Sequence, residues 1–337
     1  MLPSVPSVLS SASIAVVRTD RLGDMVLTLP LCKALKEEFP ESNLTLIARS
    51  YVAPLIDNCP FVDNVLFIDH FDHGISEIFG RNKFDAAFFP RPRFNEIFSA
   101  YISRIPIRIG SAYRLYSILF NKRIKDHRKH GLFHEAEYNV RMLSVLINKE
   151  LKTVLVKPII NQASLDKCYS VLEEKKLTSK KFVILHPGSG GSTRVWPAEY
   201  FAKLAEFIIS HTDYNVVVTG IASEAEICNA VAQMHGNIVN LCEKFDLSEM
   251  IALISQSSLL IANSTGVLHV AAALGVPSIG LFPDIPGLSS TRWGPYSDNS
   301  AVISPPEGKV NDRGNMNLIE PLTVFEAVAK LIGHQKS

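Results

Sequence analysis

Apolar residues recur along the chain in two alternating lengths. Short β-branched and aromatic runs, "IAVV", "LTLIA", "NVLFID" and "FDAAFF", read as strands, and they alternate with helix-length amphipathic segments such as "DMVLTLPLCKALKEEF" and "RPRFNEIFSAYISR". The strand runs look buried on both faces, as in a parallel sheet covered by helices. Between about 111 and 180 the rhythm weakens, and "EAEYNVRMLSVLINKE" and "SLDKCYSVLEEKK" look helical. It restarts at "KFVILHPGS" and continues through "NVVVTG", "GNIVN", "SLLIANS" and "VPSIGLF". Two consecutive α/β units fit this pattern better than one large sheet. The extended, Pro-containing "VLVKPIINQAS" marks the boundary, giving domains at 1–160 and 161–320. The helical "PLTVFEAVAKLIG" within 321–337 can pack on either unit, including back on the first.

Composition narrows the class. A length of 337 residues suits two domains, and 47% hydrophobic residues are ample for two cores. The net charge of +1 gives no global sign of nucleic-acid binding. It conceals a local excess: residues 81 to 130 hold twelve Lys and Arg against three Asp and Glu, a balance of 12 − 3 = +9. Five cysteines, with no CxxC pair, suit reduced thiols and a cytoplasmic setting. The opening "MLPSVPSVLSSAS" lacks the basic start and apolar core of a secretory signal. No stretch reaches the roughly 18 apolar residues of a spanning helix, so membrane contact would be made from the surface.

Four segments carry candidate chemistry. In "IAVVRTDRLGDMVLTLP" a strand passes through a polar turn into a helix, and Asp24 stands where the turn ends. It can cap that helix or act on a substrate. In "FVILHPGSGGSTRVWPAEYFAKLAEFI" a buried strand meets a Gly/Ser turn containing Ser189 and Gly190, with Arg194 just beyond. Such a turn can aim several backbone N–H groups at a phosphate. In "LLIANSTGVLHVAAALGVPSIGLFP", Ser264, Thr265 and Gly266 occupy the helix start, and His269 follows three residues after Gly266. In "NVVVTGIASEAEI", Glu224 opens a helix after a strand and can serve as a first-turn acid or as an acceptor for sugar hydroxyls.

Taken together, these ordered segments, with "RWGPYS" near the end, resemble the heptosyltransferases that move heptose from ADP-heptose to the lipopolysaccharide inner core. The resemblance implies a GT-B fold: two Rossmann-like α/β/α domains facing across a cleft, donor held by the second and acceptor by the first. It implies that Asp24, in the "GD" motif, is the general base. Ser189, Gly190, Arg194, Glu224, Ser264, Thr265, Gly266 and His269 would then be donor-binding, Glu224 on the ribose and the others about the diphosphate. Ser264 departs from the family pattern, which often has Asp there, and this puts the donor sugar in question. Arg91, Arg93, Arg104 and Arg108, together with Arg18 and Arg21 flanking the base, would hold an anionic glycolipid acceptor.

The implied reaction is inverting. It uses an ADP-sugar as substrate, with no cofactor or metal, and runs on the cytoplasmic side, peripheral to the inner membrane. Competing readings are another nucleotide-sugar transferase or epimerase of the same architecture, and a non-catalytic sugar-nucleotide binder. A nicotinamide oxidoreductase fits poorly, because no GxGxxG follows the first strand.

Overall fold

The structure is a computed structural model and describes residues 9–147, 149–191, 193–285, 287–306 and 314–333. The chain divides between Ile159 and Ile160 into two units.

The first unit holds a six-stranded sheet built from β1 (Ser13–Val17), β2 (Asn43–Ala48), β3 (Asn64–Phe67), β4 (Ala86–Phe88), β5 (Ile107–Ser111) and β6 (Lys122–Ile124), in the order β3-β2-β1-β4-β5-β6. The second repeats the plan with β7 (Phe182–His186), β8 (Asn215–Val218), β9 (Ile238–Asn240), β10 (Leu259–Asn263), β11 (Ser278–Leu281) and β12 (Ser300–Ile303), in the order β12-β11-β10-β7-β8-β9. Every pairing is parallel. In each sheet the chain moves outward from its first strand, then crosses back to that strand's other side. The order therefore reverses between β1 and β4, and again between β7 and β10. Open α/β sheets bind ligands beyond the carboxyl ends of the strands at such reversals.

Nine of these strands follow the apolar runs, and β5, β6 and β12 do not. β5 carries Arg108 just after Pro106, and β6 is a three-residue edge strand that includes Lys122 and Arg123. Inside β5, Gly110 is required by packing: a Cβ there would lie 2.2 Å from the ring of Phe120. That ring is buried against Phe89, with centroids 5.7 Å apart.

The segment read as one long helix after β1 is two helices, Leu22–Val26 and Leu29–Glu38, with Thr28 as N-cap of the second and Pro30 in its first turn. Proline has no N–H for the preceding turn, and its ring crowds the carbonyl four residues back, so one continuous helix cannot form. Asp24 consequently sits on a single short turn.

The closing helix, Pro321–Ile332, packs in the core of the second unit. Val324, Phe325 and Val328 are buried with Phe201, Ile208 and Val216 of the second core, and Phe325 lies 5.8 Å from Phe207 by ring centroids. The apolar stripe of this helix completes the core beside helix Ala198–His211.

Candidate active site

Each unit places a constellation at its reversal point. In the first, β1 ends at Val17 and delivers Arg18 into the interior, where it is only 2% exposed. Its guanidinium meets three carboxylates: Nε donates to Asp20 Oδ1 at 2.6 Å, Nη2 donates to Asp24 Oδ1, and Nη1 lies 3.9 Å from Glu135 Oε1. Burial alone would lower the Arg18 pKa, but Asp24, Asp20 and Glu135 outweigh it and hold the group above its ordinary value.

Asp24 is the third residue of helix Leu22–Val26 rather than its N-cap, a position Arg21 occupies. Its carboxylate is taken by Arg18, so the capping reading gives way to an ion pair. Thr28 Oγ1 donates to the Asp24 carbonyl at 2.7 Å and fixes the backbone below it. Burial raises the Asp24 carboxyl above the usual aspartate range; Asp20 and Glu135 push the same way, and Arg18 and Arg91 pull back. With 14% of the side chain exposed, Asp24 is sheltered yet reachable.

A second layer of contacts sets this cluster. Glu135, at the start of helix Glu135–Val140, also binds Arg128, and Arg128 Nη2 donates to Asn139 Oδ1 at 3.1 Å. Asn139 Nδ2 in turn donates to the Leu27 carbonyl at 2.8 Å. From β4, Arg91 Nη1 donates to Asp20 Oδ2 at 2.8 Å while most of its side chain stays in water. Arg21, Arg93 and Arg104 are exposed, and Arg108 is half-buried, with its Nε donating to the Leu119 carbonyl at 2.8 Å. The arginines thus divide. Arg18 is an internal counter-ion that positions Asp24, which departs from the expectation that it meets an acceptor from the surface. Arg21, Arg91 and Arg93 present charge to solvent.

In the second unit, three turns leave the carboxyl ends of the adjacent strands β10, β7 and β8. The turn after β7 is fastened at both ends by fully buried Asn263. Its Nδ2 donates to the Pro187 carbonyl at 2.7 Å, and its Oδ1 accepts from the Trp196 N–H at 2.9 Å. Glu224, buried after β8, holds the middle. Its carboxylate accepts from the Gly190 N–H at 2.9 Å and from the Ile221 N–H at 3.1 Å. A Cβ at Gly188 would stand 2.0 Å from this carboxyl, so the close approach demands glycine. Gly190 and Gly191 have φ of +54° and +69°, the left-handed backbone that glycine adopts freely.

Glu224 therefore has protein partners on both oxygens and braces the turn; a carboxylate has further lone pairs for a ligand. His186 Nε2 lies 3.7 Å from Glu224 Oε2, and Nδ1 is 3.0 Å from Thr219 Oγ1. Burial lowers the His186 pKa, only partly offset by Glu224, so its imidazole is neutral near pH 7.

Thr265 is the N-cap of helix Gly266–Leu274, and its hydroxyl accepts from the Val267 N–H at 3.4 Å. Ser264, Thr265 and Gly266 remain partly accessible, and His269 is buried one turn on. Arg194 is exposed and donates to the Gly314 carbonyl at 2.9 Å. Ser189 and Gly190 lie together with Glu224, whereas Arg194 leans toward Gly314.

Sequence reasoning missed Asp20, Glu135 and Asn263 as determinants of this geometry. Asn263 had a local signal: it is the polar last residue of a strand whose other four residues are apolar. Glu135 had none, because its partner Arg18 is remote in sequence. Among the described residues, no cluster of three or more His, Cys, Asp or Glu could hold a metal ion.

Two tandem six-stranded parallel sheets, each with chemistry at its reversal point, define an α/β protein of the GT-B fold class. The chain belongs to glycosyltransferase family 9 (heptosyltransferase), whose family model matches residues 80–322. It is 30% identical over 336 residues to a Haemophilus influenzae protein described as "Putative glycosyltransferase", covering 94% of this chain and 95% of that one. It is 24% identical to lipopolysaccharide heptosyltransferase 2 of Escherichia coli, covering 86% and 87%. Among solved structures, a family 9 glycosyl transferase from Veillonella parvula superposes with a TM-score of 0.84 at 22% identity, over 96% of this chain and 98% of that one. The ADP-heptose lipopolysaccharide heptosyltransferase II of Escherichia coli superposes with a TM-score of 0.78 at 21% identity, over 95% and 98%. The protein is accordingly a glycosyltransferase.

Proposed function

We propose that this enzyme transfers a heptose or a related sugar from an ADP-sugar to an anionic glycolipid acceptor of the lipopolysaccharide inner-core type, with inversion at the anomeric carbon. The observation that carries the reading is Asp24: a partly exposed carboxyl on the short helix that follows β1, raised in pKa by burial and oriented by the internal Arg18. A base of this kind suits proton removal from a sugar hydroxyl. As the hydroxyl oxygen bonds the anomeric carbon, the bond from that carbon to the diphosphate breaks. The proton passes to Asp24, and the diphosphate leaves with the bonding pair.

In this reading the second unit stabilises the departing charge. Arg194, the turn at Ser189 and Gly190 that Glu224 holds in shape, and the helix start at Ser264, Thr265 and Gly266 would surround the developing anion with positive charge and dipoles of the type that favours it. His269 lies one turn into that helix. The same reading needs neither a cofactor nor a metal, so EDTA should leave the rate unchanged; a chelator-sensitive rate would count against it. Exposed Arg21, Arg91 and Arg93 suit the carboxylates and phosphates of an inner-core acceptor held at the cytoplasmic face of a membrane. No helix among the described residues is long and apolar enough to cross one.

Ser264 favours a second possibility for the donor alone. A neutral hydroxyl in place of a carboxylate alters the hydrogen bonds offered to the donor, which suits a sugar other than the family's usual heptose. A panel of nucleotide sugars, ADP-heptose first, tested for a rise in melting temperature and then for transfer to delipidated inner-core acceptor, separates the two. Binding without transfer for every donor would sink the catalytic reading.

A further inference from the structure

Helix Phe94–Ile102 has two apolar faces, and only one of them is used by the fold. Ile97 and Ala100 are buried in the first core, and Glu96 is buried beside them. Phe94, Phe98, Tyr101 and Ile102 point outward and are each more than two-fifths exposed. Phe94 stacks on Phe98 with centroids 5.5 Å apart and meets Tyr116 edge-on at 5.9 Å. Tyr116 belongs to the turn Leu115–Leu119, which adds Leu115 at 103% and Ile118 at 76% exposure. Single exposed apolar residues are ordinary, but a contiguous group of six marks an interaction surface.

The charge around this patch identifies the partner. From Arg91 to Lys125 the sequence has eight Lys and Arg and one acid, Glu96, which is buried. Arg93 precedes the helix, Arg104 follows it, and Arg114 precedes the turn; all three are exposed. An apolar centre rimmed by cations matches a bilayer with anionic headgroups, where side-chain insertion and electrostatic attraction reinforce each other.

We propose that the outward face of helix Phe94–Ile102, with Leu115 and Ile118 of the adjoining turn, inserts into an anionic phospholipid surface. This deepens the reading that the acceptor is a membrane glycolipid. The inserted helix is also bonded to the loop that carries the base. Thr19 Oγ1 donates to Glu96 Oε1 at 2.6 Å, and Arg91, just before the helix, holds Asp20. The surface that rests on lipid is thereby continuous with the residues that order Asp24.

The test compares the full-length enzyme with a Leu115→Ser/Ile118→Ser variant and with Arg114→Gln. Each is co-sedimented with phosphatidylglycerol–phosphatidylethanolamine vesicles and with phosphatidylcholine vesicles, at low and high salt. The parent should prefer the anionic vesicles and keep part of its binding at high salt, where purely ionic attachment is screened. The double substitution should weaken binding roughly tenfold or more by removing two inserted side chains. Arg114→Gln should lose less, and mainly at low salt. Transfer to a delipidated acceptor should be unchanged in the double variant.

Equal vesicle binding by parent and double variant would overturn the proposal, as would no binding by the parent. So would a parent dimer in light scattering that the same substitutions split, because the patch would then join two copies. Absence of transfer in the parent, with lipid binding as expected, would refute the catalytic reading and leave the membrane surface standing.

Discussion

Replacing Asn263 by alanine removes both fastenings of the turn after β7 in one step. The Trp196 N–H and the Pro187 C=O lose their partners at 2.9 and 2.7 Å, and the side chain that supplied them is fully buried. A buried backbone group left unpaired costs about 1–3 kcal/mol, so the pair costs about 2–6 kcal/mol. That is a large share of the roughly 5–15 kcal/mol that holds a domain folded. Both tryptophans, Trp196 and Trp293, lie in the second unit, so the fluorescence change in a urea titration reports that unit alone. The expected result is a lower midpoint at an unchanged slope, the midpoint shift multiplied by that slope giving this loss of free energy, together with weaker ADP binding, since the turn proposed to meet the diphosphate is no longer held. Asn229→Ala, which breaks an exposed side-chain bond to Asn240, is the control and should stay within about 0.5 kcal/mol. A loss below about 1 kcal/mol for Asn263→Ala would refute the reasoning, because the two backbone groups would have found other partners.

Four further outcomes follow from the same geometry. Asp24→Ala should cut transfer by about 10²–10⁴-fold while ADP binding survives, and an active variant would remove Asp24 from the role of base. In the parent, the carboxyl must be ionised to accept a proton and its pKa is raised. Activity should therefore fall as pH drops through an apparent value above 3.8, and an acidic limb at or below 3.8 in kcat/KM would contradict the burial argument. Gly188→Ala forces the Glu224 carboxyl away from a Cβ that would stand 2.0 Å from it, freeing the Gly190 N–H; calorimetry should show ADP affinity lower by about tenfold, the scale of one lost hydrogen bond. Arg194→Ala should weaken ADP-sugar binding and slow turnover, and unchanged kinetics would place that residue outside the site.

The architecture was legible because parallel strands buried on both faces write themselves as apolar runs. "IAVV", "FVILH" and "LLIAN" needed no tertiary information. The strands that escaped, β5, β6 and β12, are the ones where charge or a neighbouring proline interrupts that signature. The long helix after β1 was misread because amphipathic spacing continues across Thr28, while Pro30 alone breaks the backbone.

At the site, motif strings pointed to the turns but not to what holds them. Arg18 stood out as a cation flanking Asp24, yet its burial depends on Glu135 and, through Glu135, on Arg128 and Asn139, which only folding brings near. Glu224 was visible as an acid at a helix start. Its grip on Gly190 was not, because the two residues come from turns after different strands.

The division between Ile159 and Ile160 bears on how this enzyme can change. The residues proposed to choose the sugar nucleotide all follow it, from Ser189 to His269, while Asp24, Arg21, Arg91 and Arg93 all precede it. On that proposal, a recombination at that one position would exchange donor preference as a block and leave the half that carries Asp24 untouched. Each half can then drift under its own selection, one following the cell's supply of activated sugars and the other the chemistry of its surface. Chimeras joined there between family members should inherit donor choice from the parent that supplies the later half.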